Sequence, residues 1–251
     1  MAPAPVLEFL SAHRAQTLRA TADPVFWDVR ARTDYVFSHI PGALGIDWRT
    51  FRDPDAGRTA RWHPSLRVLE ALVGAAGLTT ERPVVIYGDP EAGGADGWIA
   101  WLLWYVGHTQ IAILDGGWPA WRRIHGPSEV GPVEPTAALF HAQPRHRALA
   151  EREEIASGLR TGAIRVIDTS RAKDIRNPRI VSAIHVPWTI FRRTDGSKVS
   201  DHVVGEVLAS HGVNPAARVI ISAAVGEPSA WVWSVLTAWG CSDVGHAPEF
   251  L

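Results

Sequence analysis

219-VIISAAVGEPSAWVWSVL-236 is the stretch on which the reading of this chain turns. Val219, Ile220 and Ile221 form a short β-branched run of the kind that fits a buried parallel strand. From Ser229 to Leu236 apolar residues fall on every turn, which predicts a helix with Ser229 capping its start beside Pro228. Between them lies a loop of Ala223, Ala224, Val225, Gly226, Glu227 and Pro228. A strand–loop–helix junction aims backbone N–H groups and a helix dipole at one spot, which suits an anion. Chemistry there would need a nucleophile where the loop begins. This loop begins with alanine.

The chain has 251 residues, enough for one large domain or two of ordinary size. It is 46% hydrophobic and 20% charged, a balance that supplies normal globular cores. A net charge of −1 offers no attraction to nucleic acid or to an anionic membrane. No apolar run is long enough for a membrane span, and the start lacks the basic-then-apolar pattern of a secretory signal, so a cytoplasmic location is expected. The single cysteine, Cys241, excludes an intrachain disulfide and any multi-cysteine metal site. Twelve tryptophans are many for this length; Trp98, Trp101, Trp104, Trp231 and Trp233 lie in helix-like segments and read as core.

Working outward, the spacing predicts a helix over 6–20 and a strand at Val25–Arg30. A turn follows at Ser38–Ala43, then a short strand at Leu44–Trp48 and a helix at Leu66–Ala76 stopped by Gly77. Val84–Tyr87 reads as a buried strand. A glycine-rich loop, 88–97, leads into the tryptophan-rich helix, and Ile111–Leu114 is a further strand before a short helix around Trp121. Strands alternating with helices define an α/β layer with a mostly parallel sheet. Glycine and proline then dominate residues 126–147, which reads as a linker.

After it the order restarts. Glu151–Leu159 is predicted helical and Val166–Arg171 extended. Ala183–Trp188 corresponds to Ala43–Trp48, Val203–Gly212 to Leu66–Gly77, and Val219–Ile221 to Val84–Ile86. The chain thus reads as a tandem duplication: 1–125, a linker at 126–147, and 148–251.

The motifs Asp28-Val29-Arg30, His39-Ile40-Pro41-Gly42-Ala43 and Leu114-Asp115-Gly116-Gly117, with Trp121 close behind, resemble the two-domain rhodaneses, the thiosulfate and 3-mercaptopyruvate sulfurtransferases. The second half continues the resemblance through Ile167-Asp168, Ala183–Trp188, Asp195-Gly196 and the 219–236 stretch. It implies two rhodanese-like domains, each a mostly parallel sheet flanked by helices, the first non-catalytic. It also implies an active-site loop of the form C-x-x-G-x-[RT] in the second, whose cysteine becomes a persulfide. Such a cysteine must be a thiolate, favoured by loop N–H groups and the helix N-terminus. Here Gly226 matches the loop glycine, Ala223 falls on the cysteine and Pro228 on the basic or hydroxyl position. Other departures accompany these. Pro178–Ala183 replaces Gly-His-Ile-Pro-Gly-Ala, and the last aspartate-glycine turn shrinks to Val244–Phe250. The pattern is divergence rather than one lost side chain.

The remaining candidates carry less. Cys241 follows the helix and should lie at its far end, about 15 Å from the loop, as a small buried hydrophobe. The first half's counterpart of the loop, near Gly88-Asp89, has no cysteine. His141, His146 and His202 form no ligand set, so no metal is expected, and no cofactor either. His39 reads as a structural turn residue. Ser229 lacks the G-x-S-x-G context of a nucleophile elbow, a cysteine-phosphatase reading fails with Ala223, and 88–97 has neither nucleotide-binding fingerprint. Two functions follow. In the first, the chain is a sulfurtransferase homologue without its nucleophile, a binding or regulatory module for a small sulfur-containing anion or a protein partner. In the second, residual transfer runs through Cys241.

Overall fold

The computed structural model describes residues 6–53, 65–92, 94–171, 182–223 and 226–247. Two all-parallel sheets organise them. In the first half the strands are β1 (Val6–Leu10), β2 (Val25–Asp28), β3 (Leu44–Gly45), β4 (Val84–Tyr87) and β5 (Gln110–Leu114), in the order β1-β5-β4-β2-β3. In the second they are β6 (Ile164–Asp168), β7 (Ile184–His185), β8 (Arg218–Ser222) and β9 (Val244–Ala247), in the order β7-β6-β8-β9. Helices α1 (Ala12–Thr21), α2 (Arg32–Phe37), α3 (Leu66–Ala75), α4 (Ala95–Tyr105) and α5 (Gly117–Arg123) accompany the first sheet. The second has α6 (Arg152–Thr161), α7 (Asp201–Ser210) and α8 (Gly226–Trp239).

The register displays the duplication residue by residue. Asp28 pairs with Gly45 and Tyr87, as Asp168 pairs with His185 and Ser222. Ile86 pairs with Ile113, as Ile221 pairs with His246. In place of a β1 counterpart, Leu149 makes a single parallel bridge to His246, just ahead of α6.

Two predicted elements need correction. The helix expected over 6–20 divides into β1, which pairs along its length with β5, and α1. Ser11 marks the division, accepting the Arg14 N–H from its N-cap position; pairing with a neighbouring strand overrode the local helical spacing. The strand expected at Leu44–Trp48 stops at Gly45, because Asp47 caps a 3-10 turn over Trp48–Phe51.

Alternation along the strands explains the layers. Val85 and Tyr87 face α1 and α5, while Val84 and Ile86 face α3 and α4. In the second half Val166 and Ile220 face α6, while Val219 and Ile221 face α7 and α8. The largest apolar cluster runs through both halves, joined by α4 and α8 and carrying fully buried Trp98, Trp101, Trp231 and Trp233. Residues 126–145 have no helix or strand but are tied along the first half, with Glu129 bridging His39 and Gln143 donating to the Val106 carbonyl.

Candidate functional site

The parallel sheet places the C-terminal end of β8 against the N-terminus of α8, the usual position for a ligand in an open α/β sheet. Ala223 follows β8 directly and is buried. Its predecessor Ser222 uses its carbonyl to accept both the backbone N–H and the hydroxyl of Thr169, the residue after the neighbouring strand β6, which fixes where the loop departs. Ala224 and Val225 lie outside the described residues. The helix begins at Gly226, three residues earlier than its apolar periodicity implies. Pro228 therefore sits within the first turn, where a missing N–H is harmless.

That early start changes the role of Ser229. It is fully buried inside the helix rather than capping it, and shares a 2.8 Å hydrogen bond with His246 Nε2 of β9. His246, also fully buried, lies edge-on to Trp101 of α4. Sequence reasoning missed this pair, since the two residues meet only when β9 docks beside β8.

α4 and α8 meet near their N-terminal ends, at Gly97 and Trp231. Gly97 lies so near Trp231 that a Cβ on it would stand 2.3 Å from the Trp231 Cα. The junction thus brings together the N-terminal parts of α4 and α8. Into it comes Arg192, from the segment after the turn Trp188–Phe191. Its guanidinium lies 4.2 Å from the centroid of the Trp231 ring and 5.1 Å from that of Trp188, and Nη1 donates to the Pro90 carbonyl at 2.6 Å. Burial lowers its pKa, opposed by the charges of Asp96, Asp115 and Asp89. Asp96 is buried in the first turn of α4, and desolvation raises its carboxyl while Arg192 and the Gly97 N–H lower it. Nothing in the local sequence around Arg192-Arg193 distinguishes one of the pair from an ordinary surface cation.

In the first half, the counterpart loop is occupied by protein. The Gly88 carbonyl accepts the Trp118 N–H, and Pro90 lies against Gly196 of the second half. Asp28 holds Arg30 in a buried ion pair of 2.6 Å, while His39 is buried between the Tyr35 carbonyl and the Glu129 carboxylate, as its structural reading requires.

Cys241 is buried beyond the C-terminal end of α8, and desolvation pushes its thiol up to about 11. The 14 residues of α8 span about 21 Å, which keeps this sulfur away from the loop. His141 and His202 stand exposed beside Glu70 and Glu206 respectively. Among the described residues no three His, Cys, Asp or Glu side chains gather as a metal site. None of the helices there is long and apolar enough to cross a membrane.

Two parallel sheets, each flanked by helices, with a strand–loop–helix junction at the meeting of the halves, define an α/β protein of duplicated architecture. A rhodanese-like domain matches residues 11–124. "Putative thiosulfate sulfurtransferase SseB" of Mycobacterium tuberculosis (strain ATCC 25618 / H37Rv) is 30% identical over 239 residues, covering 87% of this chain and 84% of that protein. A "Putative thiosulfate sulfurtransferase" of Mycobacterium leprae is 28% identical over 256 residues, covering 90% and 86%. Among solved structures, the 3-mercaptopyruvate sulfotransferase SseA from Escherichia coli aligns with a TM-score of 0.85 at 20% identity, covering 98% of both chains. Wild-type EanB aligns with a TM-score of 0.82 at 17% identity, covering 96% of this chain and 65% of that one. The chain belongs to the rhodanese-like sulfurtransferase family.

Proposed function

We propose that this protein keeps the rhodanese scaffold without its chemistry and serves as a binding or regulatory module for a small sulfur-containing anion. The observation that carries this reading is Ala223. It is the residue that follows β8 and opens the loop before α8, where sulfur transfer needs a thiolate. A methyl group has no lone pair with which to attack sulfur. Pro228 adds neither charge nor N–H at the other reactive position of the loop. The N-terminus of α8 still supplies backbone donors and a favourable dipole, so binding outlives the loss of turnover.

The same reading takes 1–125 and 148–251 as the two domains, 126–147 as their linker, and the cytoplasm as the location. Transfer through Cys241 is disfavoured by its burial, its raised pKa and the length of α8. The names of the mycobacterial relatives make thiosulfate the first anion to try. The test is sulfur transfer from thiosulfate or 3-mercaptopyruvate to cyanide, with thiosulfate binding measured separately by calorimetry. Binding without turnover is expected; turnover in the wild-type protein, abolished in Cys241→Ala, would overturn the reading.

A further inference from the structure

The segment 126–145 lies along the first half without helix or strand, and its last part is fastened around one histidine. Of residues 126–145, Phe140 alone is buried, and its ring centroid stands 6.1 Å from that of His108. Ala138 donates to the Gly74 carbonyl, Gln143 to that of Val106 and Arg145 to that of Tyr105. Gly107, at φ +101°, admits the Gln143 carbonyl where a Cβ would not fit. The Arg145 guanidinium closes the end of α4, donating to the carbonyls of Trp104 at 2.7 Å, His108 at 2.9 Å and Gly107 at 3.2 Å. A strap held by a handful of hydrogen bonds and one buried side chain opens at lower cost than the sheet beneath it.

His108 is fully buried, and neither ring nitrogen has a hydrogen-bond partner among the described residues. Burial lowers its pKa from 6.5 to about 4, the Arg145 charge adds to this, and backbone groups of Gln110, Thr80 and Arg82 oppose it. The charged groups on the surrounding elements do not welcome a proton there. Arg145, on the strap, repels it. On the turn before β4, Glu81 is exposed and Arg82 is paired with Asp23. Glu70 of α3 is engaged by the strap itself, 3.4 Å from His141 Nδ1 and 3.4 Å from the Ala142 N–H.

We propose that His108 is an acid-operated catch for the strap 138–145: protonation of the imidazole drives Phe140 away and frees the strap from the end of α4, while both sheets persist. A charged ring in that position has no carboxylate partner and must reach water. The side of the ring covered by the strap is the least costly to open, because the other sides are the turn before β4 and the start of β5. The strap joins the two halves, so its release lengthens their tether and exposes Phe140, which is hidden at neutral pH. This device is independent of the anion-binding reading of α8.

The test is hydrogen–deuterium exchange on the full chain at about pH 7.5 and pH 5, with rates corrected for intrinsic exchange. An open strap whose histidine titrates normally predicts roughly thirtyfold greater opening of the 138–145 amides at the lower pH, with β4 and β5 still protected. His108→Leu should remove that dependence. His141→Gln and Glu70→Gln should retain it, since a proton on His141 would tighten its contact with Glu70 rather than loosen it. In case His108→Leu does not fold, the ring nitrogen resonances of His108 are followed in the wild-type protein, and they should titrate in step with the loss of strap protection. Strap protection that is indifferent to pH, or that is lost while the His108 ring stays neutral, overturns the role of His108. So does a pH dependence that survives in folded His108→Leu or vanishes in Glu70→Gln or His141→Gln. Equal loss of protection in β4, β5 and the strap would mean global unfolding and would overturn the local catch.

Discussion

Gly97 and Trp231 hold α4 and α8 at backbone contact: a Cβ at position 97 would come within 2.3 Å of the Trp231 Cα and 2.7 Å of its nitrogen. Because those are backbone atoms in a helix, they cannot swing aside. Gly97→Ala must push the two helices apart at this junction. Overpacking of this kind costs about 1–3 kcal/mol, and this contact belongs at the upper end. Urea denaturation should show that loss.

The buried Ser229–His246 pair predicts a smaller, separable effect. Ser229→Ala removes the 2.8 Å bond between α8 and β9 without leaving a large void. A loss of about 1–2 kcal/mol is expected by denaturation. Thiosulfate binding should be unchanged, which distinguishes a structural hydroxyl from a reacting one.

His108 gives the protein an acid sensitivity of defined sign. It is fully buried at the end of α4, neither ring nitrogen has a partner among the described residues, and desolvation lowers its pKa from 6.5 to about 4. The unfolded chain therefore binds a proton that the native state refuses. Stability is unaffected above pH 6.5 and declines as pH falls from there to about 4, below which both states are protonated. The accumulated loss is roughly 3 kcal/mol. His108→Leu should flatten that part of the stability–pH curve; an equally steep curve in the variant would locate the sensitivity elsewhere.

Cys241 should behave as packing rather than as a nucleophile. With its thiol pushed up to about 11 and its side chain buried, it should react slowly with a thiol reagent at neutral pH and quickly once the protein is unfolded. Rapid labelling of the native protein would contradict this placement.

Much of this molecule was legible in the sequence because the central duplicated strands are largely buried and short. β2, β4, β6 and β8 are written as β-branched or aromatic runs, and the second set repeats the order of the first. β1 was not legible: Val6–Leu10 becomes extended only through its pairing with β5, a hundred residues away. The junction after β8 could be located from its flanking strand and helix, although Gly226, Glu227 and Pro228 belong to the helix and not to the loop expected at 223–228. Its neighbours could not. His246 reaches Ser229 through the docking of β9, and Arg192 reaches Trp231 by a crossing of segments that no local periodicity encodes.

Ala223→Cys tests the central claim most directly. The variant and the wild-type protein are incubated with thiosulfate, and their intact masses are compared after removal of free donor. The account predicts one added sulfur atom on Ala223→Cys, mapped to position 223, and none on the wild type. A persulfide on the wild-type protein, necessarily at Cys241, would contradict it.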